Sequence, residues 1–173
     1  NRCYICKKYF SQILNEVAAA AGITTIAEGV TASDLAKHRP GIAASKEAGV
    51  WHPLVEVDMK KTEIRQIAKE IGLTFWDKPP NPCLATRIAY EEKITVEKLK
   101  MIEKAEDYLK DVGFRQVRVR LHRGGIARIE VGKEEIEGFF DTKMLADICG
   151  KLKTLGFNYV TLDLEGYRTG SMN

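Results

Sequence analysis

Apolar residues open the chain at helical spacing. Phe10, Ile13, Leu14, Val17 and Ala21 fall on one face and Gly22 stops the run, which predicts an amphipathic helix over 7–21. Ile23 to Val30 reads as a strand, and Pro40-Gly41 separates two short helical pieces. Leu54 to Val57 reads as a second strand. Asp58 is placed to cap a helix carrying Ile64, Ile67, Ala68 and Ile71, which Gly72 ends before a strand-like Leu73 to Trp76. Strands alternating with helices predict a parallel sheet of βαβ units.

The pattern changes near residue 88, beyond which there is no proline. Thr95 is a candidate N-cap for a helix carrying Leu99, Ile102, Tyr108 and Leu109 and ending at Gly113. Two strands flank Arg123-Gly124-Gly125, a hairpin signal. A short charged piece, a helix over about 143–155 and a strand from Asn158 to Leu164 follow. The order α-β-β-α-β predicts a compact α+β domain. In the first hairpin strand Val117, Val119 and Leu121 alternate with Arg118 and Arg120, so both guanidinium groups share one face. That face is either solvated or functional. A three-residue loop sets Arg118 opposite Glu130, and a two-residue loop sets it opposite Ile129.

Charge sharpens this picture. The net charge is +3, but the stretch from Arg115 through Arg118, Arg120, Arg123 and Arg128 meets no acid until Glu130. Arginine suits bidentate recognition of phosphate or carboxylate. The overall excess is too small for a wide nucleic-acid footprint, so a small anionic ligand is expected and nucleic acid is not. No run of 18 apolar residues is present, so no membrane helix is expected.

Of the four cysteines, Cys3 and Cys6 form a C-x-x-C pair suited to two bonds to one metal centre. Cys83 lies in a loop with Pro79, Pro80 and Pro82. Cys149 shares an apolar stripe with Leu145, Ile148 and Leu152 and is expected to be a buried core thiol. Structural zinc with His38, His52 or His122 is one alternative, although none has zinc-finger spacing to the pair. A metal-free reactive Cys83, its thiolate stabilised by Arg87, is another. Free thiols suit a cytoplasmic location.

The segment Trp76-Asp77-Lys78-Pro79-Pro80-Asn81-Pro82-Cys83-Leu84-Ala85-Thr86-Arg87-Ile88 resembles the ATP-dependent sulfur transferases of the LarE family, relatives of the PP-loop ATP pyrophosphatases. The resemblance extends to Asn1-Arg2-Cys3-Tyr4-Ile5-Cys6-Lys7-Lys8, Glu28-Gly29, Arg39-Pro40-Gly41, His52-Pro53-Leu54, Lys61 to Arg65 and Arg118-Val119-Arg120. It implies an α/β fold. Residues 1–88 would be the C-terminal part of a parallel-sheet PP-loop (adenine nucleotide alpha hydrolase-like) domain, and residues 92–173 a small α+β substrate-binding and oligomerisation domain. It also implies that a carboxylate of a pyridinium biscarboxylate mononucleotide is adenylated with ATP and Mg²⁺. Sulfur then displaces AMP, on the way to the nickel-pincer nucleotide of lactate racemase.

In the single-cysteine branch the residue matching Cys83 gives up its sulfur and becomes dehydroalanine. The resemblance makes Arg118 and Arg120, with Thr86 and Arg87, the substrate-phosphate site. Cys3, Cys6 and Cys83 suit a [4Fe-4S] cluster with one open iron, able to supply sulfide without consuming protein. The chain departs from the family in containing no Ser-Gly-Gly-x-Asp-Ser loop to grip ATP pyrophosphate. It opens at Asn1 on the cysteine motif, so the expectation is of a fragment whose N-terminal PP-loop segment lies elsewhere, in the same or a separate chain, and which does not adenylate alone. A homo-oligomer is also expected. The alternatives are a PP-loop tRNA thiolation enzyme and a non-catalytic metal- or nucleotide-binding partner module.

Overall fold

The computed structural model describes residues 1–36, 39–168 and 170–172. His38, one of the three histidines considered for zinc, lies outside the described residues. The chain divides into two compact units, Asn1–Lys78 and Pro79–Asn173. Arg87 and Ile88, which end the proline–cysteine loop, are buried within the second unit.

The first unit carries helices α1 (Arg2–Ala20), α2 (Ala32–Leu35), α3 (Pro40–Glu47), α4 (Pro53–Glu56) and α5 (Lys61–Glu70). Helix α1 starts earlier than expected and takes in Cys3 and Cys6. It packs on α3 through small residues: Ser11, Ala18, Ala44 and Ser45 are all buried. The predicted apolar stripe is not what it buries, since Phe10, Ile13 and Val17 are exposed.

None of the three strands expected here forms among the described residues. Residues 23–30 and 51 meet in one parallel bridge, Ala27 with Trp51. Leu54 to Val57 falls largely in α4, because Pro53 at the first helical position presets a helical φ. Leu73 to Trp76 is a turn held by Arg65, which donates to the Trp76 and Lys78 carbonyls at 3.0 and 2.6 Å. Short apolar runs do not separate strand from turn or helix without a neighbour to pair with. Asp58 does not cap α5. Glu63 does so, accepting from the Lys60 amide at 2.7 Å.

The second unit follows the expected order. Helix α6 (Val96–Asp111) is capped by Thr95, whose hydroxyl accepts from the Lys98 amide at 3.3 Å. Strands β1 (Val117–His122) and β2 (Ile126–Val131) are antiparallel, and β3 (Tyr159–Leu162) lies parallel to β2 after a 3-10 helix (Lys133–Phe140) and α7 (Thr142–Thr154). The hairpin loop has three residues, with Gly124 and Gly125 both at positive φ, so Arg118 faces Glu130. Ile102, Ala105 and Leu109 of α6, Val117, Val119 and Leu121 of β1, and Ile148 and Leu152 of α7 form the core. Cys149 is half-buried rather than buried, because α7 turns Ile148 and Leu152 inward and leaves Leu145 exposed.

Candidate functional site

In the second unit the cysteine loop is held from below by one arginine. Cys83 is exposed and precedes a single 3-10 turn, Leu84–Arg87. Thr86 closes this turn, its hydroxyl and amide donating to the Cys83 carbonyl at 2.8 and 2.9 Å. Arg87 has no exposed surface. Its Nη1 donates to the carbonyls of Pro82 and Cys83 at 2.7 and 3.4 Å, and its Nη2 to Asn81 Oδ1 at 3.1 Å. Glu106 of α6 receives Nε and Nη2 at 2.8 and 3.1 Å, and also accepts the Val119 amide at 3.0 Å. Just beyond the loop, Ile88 bridges to Leu121 and the Ala89 amide donates to the Leu121 carbonyl at 3.1 Å, joining the chain to the edge of β1.

Arg118 and Arg120 share a face of β1 as the alternation requires, but the face is buried, which overturns the solvated reading. Arg120 donates through Nε and Nη2 to Glu130 at 3.1 and 2.8 Å, and through Nη1 to the Thr86 carbonyl at 3.3 Å. Arg128 joins the same carboxylate at 3.2 Å and reaches Asp163 at 3.1 Å. Arg118 differs. It donates to the carbonyls of Val117 and Pro80, its Nε is buried without a partner, and among the described residues no carboxylate pairs with it. Burial and the neighbouring Arg87 hold its pKa below the ordinary guanidinium value, against the opposing pull of Glu106 and Tyr167. A desolvated guanidinium served only by neutral acceptors favours an added anion.

In the first unit Cys3 and Cys6 lie one helical turn apart in the first turns of α1, both exposed. Cys3 and Lys7 line a cavity of about 480 Å³ together with Glu28, Asp34 and Arg39. Lys7 pairs with Glu28 at 2.5 Å, Arg39 with Asp34 at 3.2 Å, and His52 Nε2 lies 2.9 Å from Glu28 and 3.2 Å from the buried Ser45 hydroxyl. Burial pushes the Glu28 carboxyl upward, but hydrogen bonds from Lys7, Ser45 and His52 outweigh it and leave the pKa below the ordinary value. Within neither unit do three metal-ligating side chains converge among the described residues, so Cys3 and Cys6 offer two thiols in one unit and Cys83 a third in the other.

The structure therefore brings Thr86, Arg87, Arg118 and Arg120 together behind Cys83, with two of the arginines committed to carboxylates. Sequence reasoning missed Glu106 and Ser45, and did not bring Glu28 and His52 together. Glu106 lies on the buried side of α6, four residues after Ile102 and three before Leu109, and that spacing was the available signal.

No family model matches the chain. Over 172 residues, 98% of the chain and 60% of the relative, it is 40% identical to a pyridinium-3,5-bisthiocarboxylic acid mononucleotide synthase of Lactiplantibacillus plantarum. The chain is similar to a thiocarboxylate synthase along almost its whole length. It is also 46% identical over 173 residues to an uncharacterized protein of a Synechocystis strain, covering 100% of the chain and 64% of that relative. A third relative, an uncharacterized protein of Methanocaldococcus jannaschii, is 32% identical over 168 residues, covering 97% of the chain and 64% of the relative. The chain thus spans between 60% and 64% of the length of these curated relatives. Among the described residues, no helix is long and apolar enough to cross a membrane.

Proposed function

We propose that these residues are the sulfur-donating part of a LarE-type sulfur transferase, which converts adenylated carboxylates of a pyridinium-3,5-biscarboxylate mononucleotide to thiocarboxylates. The observation that carries the reading is the juxtaposition, in one unit, of an exposed Cys83 loop with a buried arginine that lacks a counter-charge. The 40% identity to the bisthiocarboxylate synthase supports it. In this reading Arg118 binds the substrate phosphate. Arg120, neutralised by Glu130, shapes the site and orients Thr86, while Arg87 holds Cys83 in place.

The transfer step needs a sulfur nucleophile. A C–S bond forms at the acyl carbon, the C–O bond to AMP breaks, and AMP leaves with the electron pair. Cys3, Cys6 and Cys83 are all exposed thiols, and thiolate is the ligand chemistry of an iron–sulfur cluster. Bound by Cys3, Cys6 and Cys83, a [4Fe-4S] cluster with one open iron would supply the sulfide. Without it, Cys83 Sγ itself attacks, and loss of the Cα proton with cleavage of the Cβ–S bond leaves dehydroalanine.

ATP and Mg²⁺ enter this reading as co-substrates gripped by a PP-loop segment outside the 173 residues, which contain no Ser-Gly-Gly-x-Asp-Ser sequence. The exposed Ile5, Tyr9 and Val17 of α1 offer apolar surface for such a segment. The same surface suits a homo-oligomer of the complete enzyme.

Anaerobic reconstitution followed by iron and labile-sulfide analysis, on wild type and Cys83→Ala, tests the cluster route. Iron bound by the wild type and lost with Cys83 supports it. Absence of iron together with dehydroalanine at position 83 after reaction with a preformed acyl-adenylate selects the sacrificial route. A result showing no bound iron and no loss of sulfur from Cys83 would end the sulfur-transfer reading.

A further inference from the structure

Arg118 is only 4% exposed, so an anion reaches its guanidinium only when something covering it moves. Two elements cover it. On one side the Pro80 carbonyl accepts from Nη2, and on the other the Tyr167 ring centre lies 5.2 Å from the guanidinium carbon. The Pro80 side is fastened, because the buried Arg87 grips Asn81, Pro82 and Cys83 and is itself held by Glu106.

The Tyr167 side is a strap on which Tyr167, Ser171 and Met172 are half-buried. After Gly166 the Tyr167 amide donates to the Val131 carbonyl at 2.7 Å. Further along, the Ser171 hydroxyl donates to Glu130 at 2.5 Å, and Arg128 Nη2 donates to the Ser171 carbonyl at 2.9 Å and to Met172 Sδ at 3.5 Å. Its departure frees Arg168, a third exposed, from Asp163 at 3.0 Å and Glu165 at 3.1 Å, but leaves no buried charge alone. Arg128 keeps Glu130 and Asp163, and Glu130 keeps Arg120 and Arg128. The strap offers Arg128 only a carbonyl and a thioether, and a phosphate makes stronger, charge-assisted hydrogen bonds to the same donors.

We propose that the segment carrying Tyr167, Ser171 and Met172 is an intramolecular lid that competes with the phosphate of a mononucleotide for the Arg118–Arg128 face. This rests on the reading of Arg118 as the phosphate site and adds Arg128 to it. Lid closure lowers the apparent affinity by the fraction of molecules that are closed. Gly166 is the hinge. It has a φ of +68°, and a Cβ there would lie 2.9 Å from the Val131 carbonyl oxygen, so a side chain at this position pries the strap from β2 without touching an arginine.

The test uses the full chain with inorganic phosphate and nicotinate mononucleotide, by calorimetry and amide hydrogen exchange. Phosphate is expected to speed exchange of the Tyr167 amide in the wild type. Gly166→Val, and independently the pair Tyr167→Ala with Ser171→Ala, are expected to bind phosphate about three- to tenfold more tightly. The pair serves if the hinge variant fails to fold. Phosphate binding that is equal in wild type and lid variants, with Tyr167 exchange unchanged, overturns the lid while leaving the anion site standing. If phosphate binds no variant, or binds Arg118→Ala as tightly as wild type, the anion site itself is refuted and the lid with it.

Discussion

Arg118 and Glu130 stand directly opposite each other across the β1–β2 hairpin, yet the carboxylate of Glu130 is held by Arg120 and Arg128. The hairpin register alone would pair the first two. Two neighbouring guanidinium groups and the Ser171 hydroxyl instead occupy the oxygens of Glu130, so Arg118 is left with carbonyl acceptors and one idle donor.

Removing Arg118 is therefore expected to cost little stability. A buried charge without a counter-ion carries a desolvation penalty that its deletion relieves. Arg118→Ala should shift the urea-unfolding free energy by less than about 1 kcal/mol and weaken mononucleotide binding by about tenfold or more, with Arg118→Lys recovering only part, since a point charge does not replace a planar fork. A large loss of stability with binding intact would contradict the assignment.

Arg87 and Glu106 should behave in the opposite way. Each is essentially fully buried and each is the other's counter-charge. Arg87→Met or Glu106→Leu alone is expected to cost about 3–5 kcal/mol in urea unfolding, and the double variant less than the sum, because a single change leaves a lone buried charge. Limited proteolysis should show the cysteine loop opening in the single variants.

His122 gives the second unit a pH dependence. Burial and the nearby Arg128 and Arg120 lower its pKa below the ordinary 6.5, with Glu130 opposing. The unfolded chain then binds the proton first, so the contribution of His122 to stability is full above 6.5 and is lost as pH falls from there through the lower folded value. Thermal unfolding of wild type and His122→Gln between pH 7.5 and 5 checks this: the wild type should lose melting temperature over that range, and the variant should lose less.

Thiol reactivity should separate the four cysteines. Cys3, Cys6 and Cys83 are exposed and Cys149 is half-buried. Native iodoacetamide labelling is expected to modify the first three before Cys149, and anaerobic iron loading to protect those three selectively. Protection of Cys149, or of none, would separate the thiols from any metal role.

Much of the second unit was legible in the sequence. The Thr95 cap, the Gly124-Gly125 turn and the period-2 alternation of Val117 to Leu121 are local rules, each satisfied within a few residues. The first unit was less legible. Its expected strands depend on neighbours to pair with, and where, among the described residues, only Trp51 meets Ala27, the other apolar runs settle into a turn or the Pro53-initiated helix.

The amino-acid order by itself determined which residue types carry chemistry: the C-x-x-C pair, the proline-bound Cys83, and arginines alternating along one strand. Only the tertiary structure decided what those arginines do. Burial makes each guanidinium need an acceptor, and the partners come from far along the chain: Glu106 on α6 for Arg87, Glu130 on β2 for Arg120, and, among the described residues, none but carbonyls for Arg118. Spacing places charges on a face. Which of them are neutralised depends on the desolvation and packing that fold distant segments over that face.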